Sequence, residues 1–182
     1  MARPEISVID GIRLRLRLVT LDDAAYIHAL RRDPKYNSYL SAYQGTVDTQ
    51  RAWLEAYKQR ESAGAEFYYV IERRDKTQPC GVVRLYEITQ ESFTWGSWIL
   101  DHRKPAKAAL ESATLSFGVG FEQLGLPKAL VDVRNNNVKA RAIYERFGMR
   151  YLRHTSLDTY FEYSAEQYFS DLDHHMSILR NG

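Results

Sequence analysis

The chain has 182 residues, of which 45% are hydrophobic and 26% are charged, a composition typical of one soluble domain with a substantial core. The formal net charge of +2 is too small for the concentrated basic face of a nucleic-acid-binding protein. No run of about 18 apolar residues occurs, and Met1 to Asp10 lack a signal peptide's apolar run. We therefore expect a cytoplasmic protein without a membrane span. Cys80 is the single cysteine, which excludes an internal disulfide.

The first third of the chain predicts one strand and two helices. Apolar residues alternate with Arg from Ile12 to Val19, as in a half-buried strand. Thr20 is typical of a helix N-cap, and that helix is expected to stop before Pro34. A loop over Pro34 to Gly45 then leads to a second helix capped by Asp48. The buried stripe of this second helix is predicted to contain Trp53, Leu54 and Tyr57.

The middle third predicts an antiparallel meander followed by a long helix. Its strands are expected over Phe67–Arg73, Gly81–Ile88 and Phe93–Leu100. Helical spacing follows from Pro105 to Leu124, with Pro105 in the first helical position. Gly118 and Gly120 lie inside this helix and each costs roughly 1 kcal/mol relative to alanine, so its second half must depend on tertiary packing.

The last third predicts a strand over Ala129–Arg134, a helix over Val138–Phe147, a hairpin from Met149–His154 to Leu157–Glu162, and a final helix opened by Ser164. The complete order is β-α-α-β-β-β-α-β-α-β-β-α. A strand–helix–strand unit in its middle implies one parallel pair with a right-handed crossover. No linker or repeat divides the chain, so residues 1–182 are expected to form a single α/β domain with a mixed, mostly antiparallel sheet.

The segment from Asp132 to Gly148 carries the most specific pattern. Asn137 and Tyr144 are seven residues apart, which places them about 20° apart on one helix face. Ala140 falls between them on the same stripe. A polar cap, a small residue and a phenol would therefore line one narrow groove. The alternative interpretation makes Tyr144 a core aromatic residue and Asn137 only a helix cap.

This segment resembles the motif of the GNAT N-acetyltransferase superfamily, Asn-x-x-Ala-x-x-x-Tyr-x-x-x-Gly followed by an apolar residue, here Asn137 to Met149. The resemblance implies the GNAT acyl-CoA N-acyltransferase fold, with helices on both faces of the sheet. It also implies acetyl-CoA as co-substrate, no metal, and a CoA arm bound by Asn137 and Ala140. Tyr144 would be the general acid for the leaving thiolate, since a phenol of pKa about 10 can donate to it.

Two further parts of the family's CoA site match less closely. The pyrophosphate loop of the family matches only as Arg103-x-x-Ala106-x-Ala108, with Ala in place of the first Gly. Pro105 offers no N–H, so Arg103, Lys104 and Lys107 would supply charge instead; a purely structural helix start is the alternative. The resemblance also implies that the backbone of the splayed strand pairs with pantetheine, at Trp98, Ile99 and Leu100.

The acceptor is suggested by residues 83–88, 95–100 and 109–112, which resemble the GNAT branch that acetylates nucleotide-linked amino sugars, as in the pseudaminic-acid pathway. Cationic residues on the expected acceptor side would attract a UDP-linked sugar. Tyr86 is expected to bind the acceptor together with Arg31 and Arg84. A protein N-terminus or a polyamine remains an alternative acceptor, and a non-catalytic CoA-binding module an alternative function. The cationic residues on the expected acceptor side are Arg31, Arg32, Lys35 and Arg84.

Homodimers are common in the superfamily, but no feature of this sequence requires one.

The general base is expected to be a carboxylate that takes the proton of the attacking amine. Glu87 is the first candidate because it lies near the end of a central strand, and Glu91 and Asp132 are weaker candidates. The spacing of the histidines is not that of zinc ligands.

Overall fold

The computed structural model describes residues 4–38 and 43–182. Its strands are β1 (Val8–Asp10), β2 (Leu14–Leu18), β3 (Phe67–Arg73), β4 (Gln78–Tyr86), β5 (Phe93–Leu100), β6 (Lys128–Arg134), β7 (Arg150–His154) and β8 (Asp158–Ser164). The helices are α1 (Pro4–Ser7), α2 (Ala24–Arg32), α3 (Pro34–Asn37), α4 (Val47–Ser62), α5 (Ala108–Gly118), α6 (Val138–Arg146) and α7 (Ala165–Arg180).

In the described residues the strands form one eight-stranded sheet in the order β1-β2-β3-β4-β5-β6-β8-β7. All neighbours pair antiparallel except β5 and β6, which are parallel and are joined through α5. The predicted meander is β3-β4-β5, and the predicted parallel pair is β5 with β6. The mixed α/β fold is thus confirmed.

Helices cover both faces of the sheet because its central strands, β3 and β4, are apolar and buried on both faces. On one face, α2 and α4 pack Ile27 and Leu54 against Val70 of β3. On the other face, Phe117 of α5 stacks on Trp95 of β5, with ring centroids 4.4 Å apart. Burial of these apolar side chains, at about 25 cal/mol per Å², is the main favourable term for such a three-layer arrangement.

The long central helix differs from its prediction at both ends. It begins at Ala108 instead of Pro105, because Lys107 is its N-cap and adopts a left-handed conformation (φ 63°). After Gly118 it continues as a π-helical segment, Val119–Gln123. A Cβ on Gly120 would come within 2.1 Å of the Phe93 ring, so close packing against β5 explains the glycine that costs helix propensity.

The N-terminal region contains elements that the sequence analysis did not predict: α1, β1 and the short α3 inside the expected loop over Pro34 to Gly45. Part of that predicted loop lies outside the described residues. The cap of α4 is Thr46, whose hydroxyl accepts from the Thr49 amide at 3.1 Å, and the prediction of Asp48 was wrong.

The end of β4 also differs from the prediction. The strand stops at Tyr86 instead of Ile88, because Glu87 takes a positive φ of 49° that cannot continue a strand. Among the described residues, no helix combines the length and the apolarity that crossing a membrane requires.

Candidate active site

The two parallel strands separate soon after they meet. Pairing between β5 and β6 is limited to Phe93 with Ala129 and Thr94 with Leu130. Beyond these pairs the facing edges of the two strands have no partner strand among the described residues. Unpaired strand edges present backbone N–H and C=O groups that an extended ligand can use.

A β-bulge in β5 lies at the start of this fork. Val82 of β4 pairs with Ile99 and Arg84 pairs with Gly96, so two steps on β4 face three steps on β5. The extra residue is accommodated at Ser97, which has φ 51°. Such bulges re-aim backbone and side chains and are frequent beside active sites. A Cβ on Gly96 would lie 3.2 Å from the Tyr86 hydroxyl oxygen, so glycine lets the Tyr86 ring lie against the strand.

A cleft of about 520 Å³ opens at this fork and extends under α2 and α4. Its fork end is formed by β5, β6 and α6, and its other end by α2, α3, α4 and the neighbouring strands β3 and β4. The fork end is lined by Gly96, Ser97, Trp98, Ile99, Asp132, Val133, Arg134, Asn137, Tyr144 and Asp158. The other end, here called the aromatic chamber, is lined by Arg31, Tyr36, Gln50, Trp53, Tyr68, Arg84 and Tyr86.

Tyr144 lies at the fork with only 5% of its surface exposed. Its ring meets Trp95 edge-on, at 5.9 Å between centroids and an interplanar angle of 89°. Among the described residues no group hydrogen-bonds its hydroxyl, which leaves that proton available to a ligand in the cleft. Burial, with the negative charge of Asp132, raises the pKa of Tyr144 well above its usual value. The phenol is therefore protonated throughout the neutral range.

Asn137 and Trp98 define the walls of the fork. The Asn137 side chain caps α6 and accepts from the Ala140 amide at 3.2 Å. The Trp98 indole donates to the Ser112 hydroxyl of α5 at 3.1 Å, which fixes its ring on the cleft wall. Ile99 also lines the cleft, whereas Leu100 packs into the core that faces α5. Ala140, predicted on the same stripe, packs against that core as well.

Arg84 lies at the centre of the aromatic chamber. Its guanidinium carbon is 4.1 Å from the ring centroid of Tyr86, 5.6 Å from that of Trp53 and 6.0 Å from that of Tyr68. Cation–π attraction of this kind holds the side chain in place. Its only ion-pair partner among the described residues is Glu66, at 4.0 Å. Arg31 also lines the chamber, and its guanidinium carbon lies 4.0 Å from the Tyr43 ring centroid.

Asp132 is the acid of the fork that the geometry favours for proton transfer. It lies two residues after Leu130, the last β6 residue that pairs with β5, and it lines both the cleft and a second depression of about 400 Å³. Although solvent reaches the side chain, the surrounding walls remove part of its hydration. This desolvation, with the negative charge of Asp158, raises the pKa of the Asp132 carboxyl above its ordinary value.

Glu87, the first base candidate from the sequence, lies in the second depression and not among the residues that line the cleft with Tyr144. Its carboxylate accepts a hydrogen bond from the Thr94 hydroxyl at 3.1 Å. Glu91 is exposed in the turn between β4 and β5. The structure thus brings Asp132, and neither glutamate, into the cleft that contains the phenol.

Two of the cationic side chains in the loop before α5 are bound by other groups of the protein. Arg103 pairs with the buried Asp101 at 2.7 Å. The Lys107 ammonium donates to Ile178 O at 2.6 Å and also to Asn181 O, so it caps the C-terminus of α7. Lys104 and Ala106 are exposed, while Ala108 is buried at the helix start. Among these residues, Lys104 keeps a side chain that no described residue binds. Phosphate contacts of this loop stay a prediction.

The remaining cationic residues named from the sequence, Arg32 and Lys35, are exposed outside the cleft. Among the described residues, no three His, Cys, Asp or Glu side chains are grouped as a metal site. Burial and the charge of Asp101 raise the pKa of the Cys80 thiol to about 12, so this cysteine is a neutral strand residue.

Several cleft residues were not identified as site residues from the sequence. Tyr68 is in a strand that was predicted without any site role, and Trp53 was interpreted only as a buried helix residue. For Gln50, the sequence does contain one feature that could have indicated a site residue. Gln50 lies four residues before Leu54 and seven before Tyr57, so it is a polar residue on the buried stripe of α4.

Comparisons with known proteins agree with this geometry. The family model described as an acetyltransferase (GNAT) domain matches residues 13–150. The solved structure of apo FdhC, described as a nucleotide-linked sugar GNAT, is 34% identical, with a TM-score of 0.86, and the match covers 92% of this chain and 96% of that chain. No curated protein matches the sequence.

Two more distant structures share the fold. A GCN5-related N-acetyltransferase from Brucella melitensis is 17% identical, with a TM-score of 0.74, over 97% of this chain and 86% of that chain. Spermidine N-acetyltransferase from Vibrio cholerae, in complex with CoA and spermine, is 23% identical, with a TM-score of 0.75, over 86% of this chain and 98% of that chain. The forked sheet, the family match and the similarity to FdhC agree, and the chain belongs to the GNAT acetyltransferase family, as an N-acetyltransferase.

Proposed function

We propose that this N-acetyltransferase moves the acetyl group of acetyl-CoA directly to the amine of a nucleotide-linked amino sugar. The observation that carries the proposal is the Tyr144 hydroxyl, without a described partner, at the open fork between β5 and β6. Acetyltransferases of this family use acetyl-CoA. The fork offers an extended pantetheine arm the unpaired edge of β5, and the phenol then lies beside the thioester end of that arm.

The start of α5 supports binding of the CoA diphosphate. The first turn of a helix has amides without intrahelical partners and carries partial positive charge. Here the first helical amide bond runs from Glu111 to the Lys107 carbonyl, which leaves the amides of Ala109 and Leu110 for a ligand. The exposed Lys104 adds a full positive charge at the same place.

The chemistry assigned to the chain requires one base, one acid and a carbonyl-polarising donor. Asp132 takes a proton from the attacking amine, which bonds to the thioester carbon. Tyr144 gives its proton to the departing sulfur as the C–S bond breaks. Backbone amides at the β5 bulge, from Ser97 to Ile99, polarise the carbonyl oxygen. The products are an amide and free CoA thiol, with no covalent acyl-enzyme.

The aromatic chamber supports a sugar acceptor. Its rings provide apolar faces for the C–H side of a pyranose, while Arg31 at its edge is suited to the diphosphate. The chamber has two arginines and no carboxylate among its described lining residues, an environment that disfavours a polycation. FdhC, the relative described as a nucleotide-linked sugar GNAT, is consistent with this acceptor.

A polyamine is the second candidate acceptor, favoured by Asp132 and Asp158 at the fork end. The test is acetyl-CoA turnover, measured as free-thiol release, on UDP-linked amino-deoxyhexoses, spermidine and an N-terminal peptide. We expect kcat/KM for an amino sugar nucleotide to exceed that for the other acceptors by at least about 100-fold, as expected of a site that hydrogen-bonds its substrate. Turnover confined to spermidine or peptide contradicts the proposal. Acetyl-CoA binding without turnover on any amine would indicate a CoA-binding module.

A further inference from the structure

Unpartnered polar atoms are concentrated at the aromatic chamber. The described residues contain six buried side-chain polar atoms without a hydrogen-bond partner, and two of them, Gln50 Oε1 and Arg84 Nε, belong to residues that line the chamber. A third, Glu66 Oε2, is 4.0 Å from the Arg84 guanidinium, too far for a hydrogen bond. Such atoms are uncommon in folded proteins, and each requires a reason.

Gln50 is the clearest of these cases. Only 2% of the residue is exposed, yet its carboxamide oxygen lacks a described partner, and the residue lines the cleft. Its backbone is held in the first turn of α4, where its amide donates to Thr46 O at 2.9 Å. A leucine would fill the same stripe, in line with Leu54 and Tyr57, without burying an unsatisfied carbonyl. The free protein is therefore less stable with Gln50 than with an apolar residue there.

We propose that Gln50 is a specificity-determining residue that accepts a hydrogen bond from a hydroxyl or amide N–H of the acceptor's sugar ring. This inference rests on the proposed function. It goes further by naming the sugar ring as the part of the acceptor that enters the aromatic chamber. The ring packs on Trp53 and Tyr68 and exchanges hydrogen bonds with Gln50 and Arg84 at its rim. The diphosphate stays outside, near Arg31.

The chamber chemistry selects a neutral ring over other parts of the substrate. Arg84 is 21% exposed at its side chain, is shared among three aromatic faces and has Glu66 nearby. The positive charge of Arg84 is therefore partly balanced by Glu66 and the aromatic faces. A guanidinium in this state is better suited to a neutral hydroxyl group as its partner than to a dianionic diphosphate. An ammonium group placed there would be repelled by the guanidinium. A hydroxyl-bearing ring supplies the donors that Gln50 lacks and the acceptors that Arg84 Nε lacks.

The test compares Gln50→Leu and Gln50→Glu with Gln59→Leu, a matched control at an exposed position of the same helix. Steady-state kinetics are measured with acetyl-CoA and a UDP-linked 4-amino-4,6-dideoxyhexose or its 3-amino isomer, alongside thermal unfolding. Gln50→Leu is expected to raise the acceptor KM about three- to tenfold, with the acetyl-CoA KM unchanged and the Tm equal or higher. Gln50→Glu keeps an acceptor oxygen at this position; its buried carboxylate should lower the Tm, but the acceptor KM should rise less than in Gln50→Leu.

The outcomes separate this inference from the proposed function. If the wild type acetylates an amino sugar nucleotide and Gln50→Leu keeps the wild-type KM, the inference about Gln50 is wrong and the function stands. A lower Tm for Gln50→Leu, with both KM values changed, would indicate a merely structural role and also overturns the inference. If the wild type acetylates no amino sugar nucleotide, the proposed function fails, and the assignment of Gln50 fails with it.

Discussion

At the scale of single residues, the pKa values of Tyr144 and Asp132 are both raised, and the same direction of shift serves an acid in one case and a base in the other. Burial keeps the Tyr144 phenol protonated, as an acid requires. Partial desolvation and the negative charge of Asp158 raise the pKa of Asp132, which makes its carboxylate a stronger proton acceptor than an ordinary aspartate. The negative charge of an ionised Asp132 also disfavours loss of the Tyr144 proton.

Asp132→Asn is expected to lower kcat/KM by at least about 100-fold at neutral pH. In the wild type, kcat/KM should fall as pH drops through the raised pKa of Asp132, because the protonated acid accepts no proton. The variant should lose this acidic limb. The measurement is kcat/KM against pH, with Glu87→Gln as the comparison. A limb that disappears in Glu87→Gln and persists in Asp132→Asn would assign the base to Glu87.

The same substitution has a predicted sign for stability. The folded-state pKa of Asp132 lies above its unfolded value, so its contribution to stability is fully present below the unfolded pKa and is lost as pH rises through the folded pKa. At neutral pH the ionised side chain is therefore unfavourable in the fold. Asp132→Asn should unfold at the same or a higher temperature at pH 7, and a clearly lower Tm would contradict this account.

Whether the sequence alone predicts that site residues lie together depends on whether those residues belong to one secondary-structure element or to several. Asn137 and Tyr144 lie on one helix, so their spacing alone predicts a shared face. Gln50, Tyr68 and Arg84 lie on three elements, and only sheet register and helix placement bring them together. Lys107 is similar, because its partners at the C-terminal end of α7 are more than 70 residues away, and no local pattern identifies them.

At the scale of elements, the α5 helix joins the site to the edge of the sheet. Its Glu111 is 1% exposed and accepts backbone hydrogen bonds from Ile12, Arg13 and Leu14 at 2.9, 2.9 and 2.8 Å. The carboxylate thereby fixes the turn between β1 and β2. This turn has no local signal in the sequence, because its hydrogen-bond acceptor is almost 100 residues away, and β1 was accordingly not predicted.

Glu111→Ala is expected to destabilise the protein by about 2–3 kcal/mol, since the buried amide of Leu14 and the partly buried amides of Ile12 and Arg13 lose their acceptor. The free energy of unfolding in urea measures this. Glu55→Ala, at an exposed position of α4, is the control and should change stability by less than about 0.5 kcal/mol. Equal small effects of the two substitutions would show that the buried carboxylate does not anchor the turn.

At the scale of the whole molecule, the chamber helices are hydrogen-bonded to the loop that precedes α5. The Tyr26 hydroxyl of α2 donates to Asp101 at 2.8 Å, and the Tyr36 hydroxyl of α3 accepts from the His102 amide at 3.0 Å. Asp101 also holds Arg103. The acceptor end of the cleft and the expected CoA loop therefore share one buried carboxylate, and they are positioned together by the fold.

The fold itself was more predictable than the details of the site, for a physical reason. Hydrophobic periodicity distinguishes helices from strands over long segments, which fixed the meander and the parallel pair. The fork, by contrast, results from a bulge at Ser97 and from the missing pairing beyond Thr94. Neither leaves a strong pattern in the chain, and the family resemblance supplied the expectation of splayed strands.

The central claim, that Tyr144 protonates the thiolate of CoA at the fork, is tested most directly by Tyr144→Phe. The measurement is kcat for acetyl transfer together with the calorimetric Kd for acetyl-CoA, with Tyr163→Phe as the control for a second buried tyrosine whose hydroxyl has no described partner. We expect a kcat at least about 100-fold lower for Tyr144→Phe with an unchanged Kd, and a wild-type kcat for Tyr163→Phe. An unchanged kcat in Tyr144→Phe would contradict this claim.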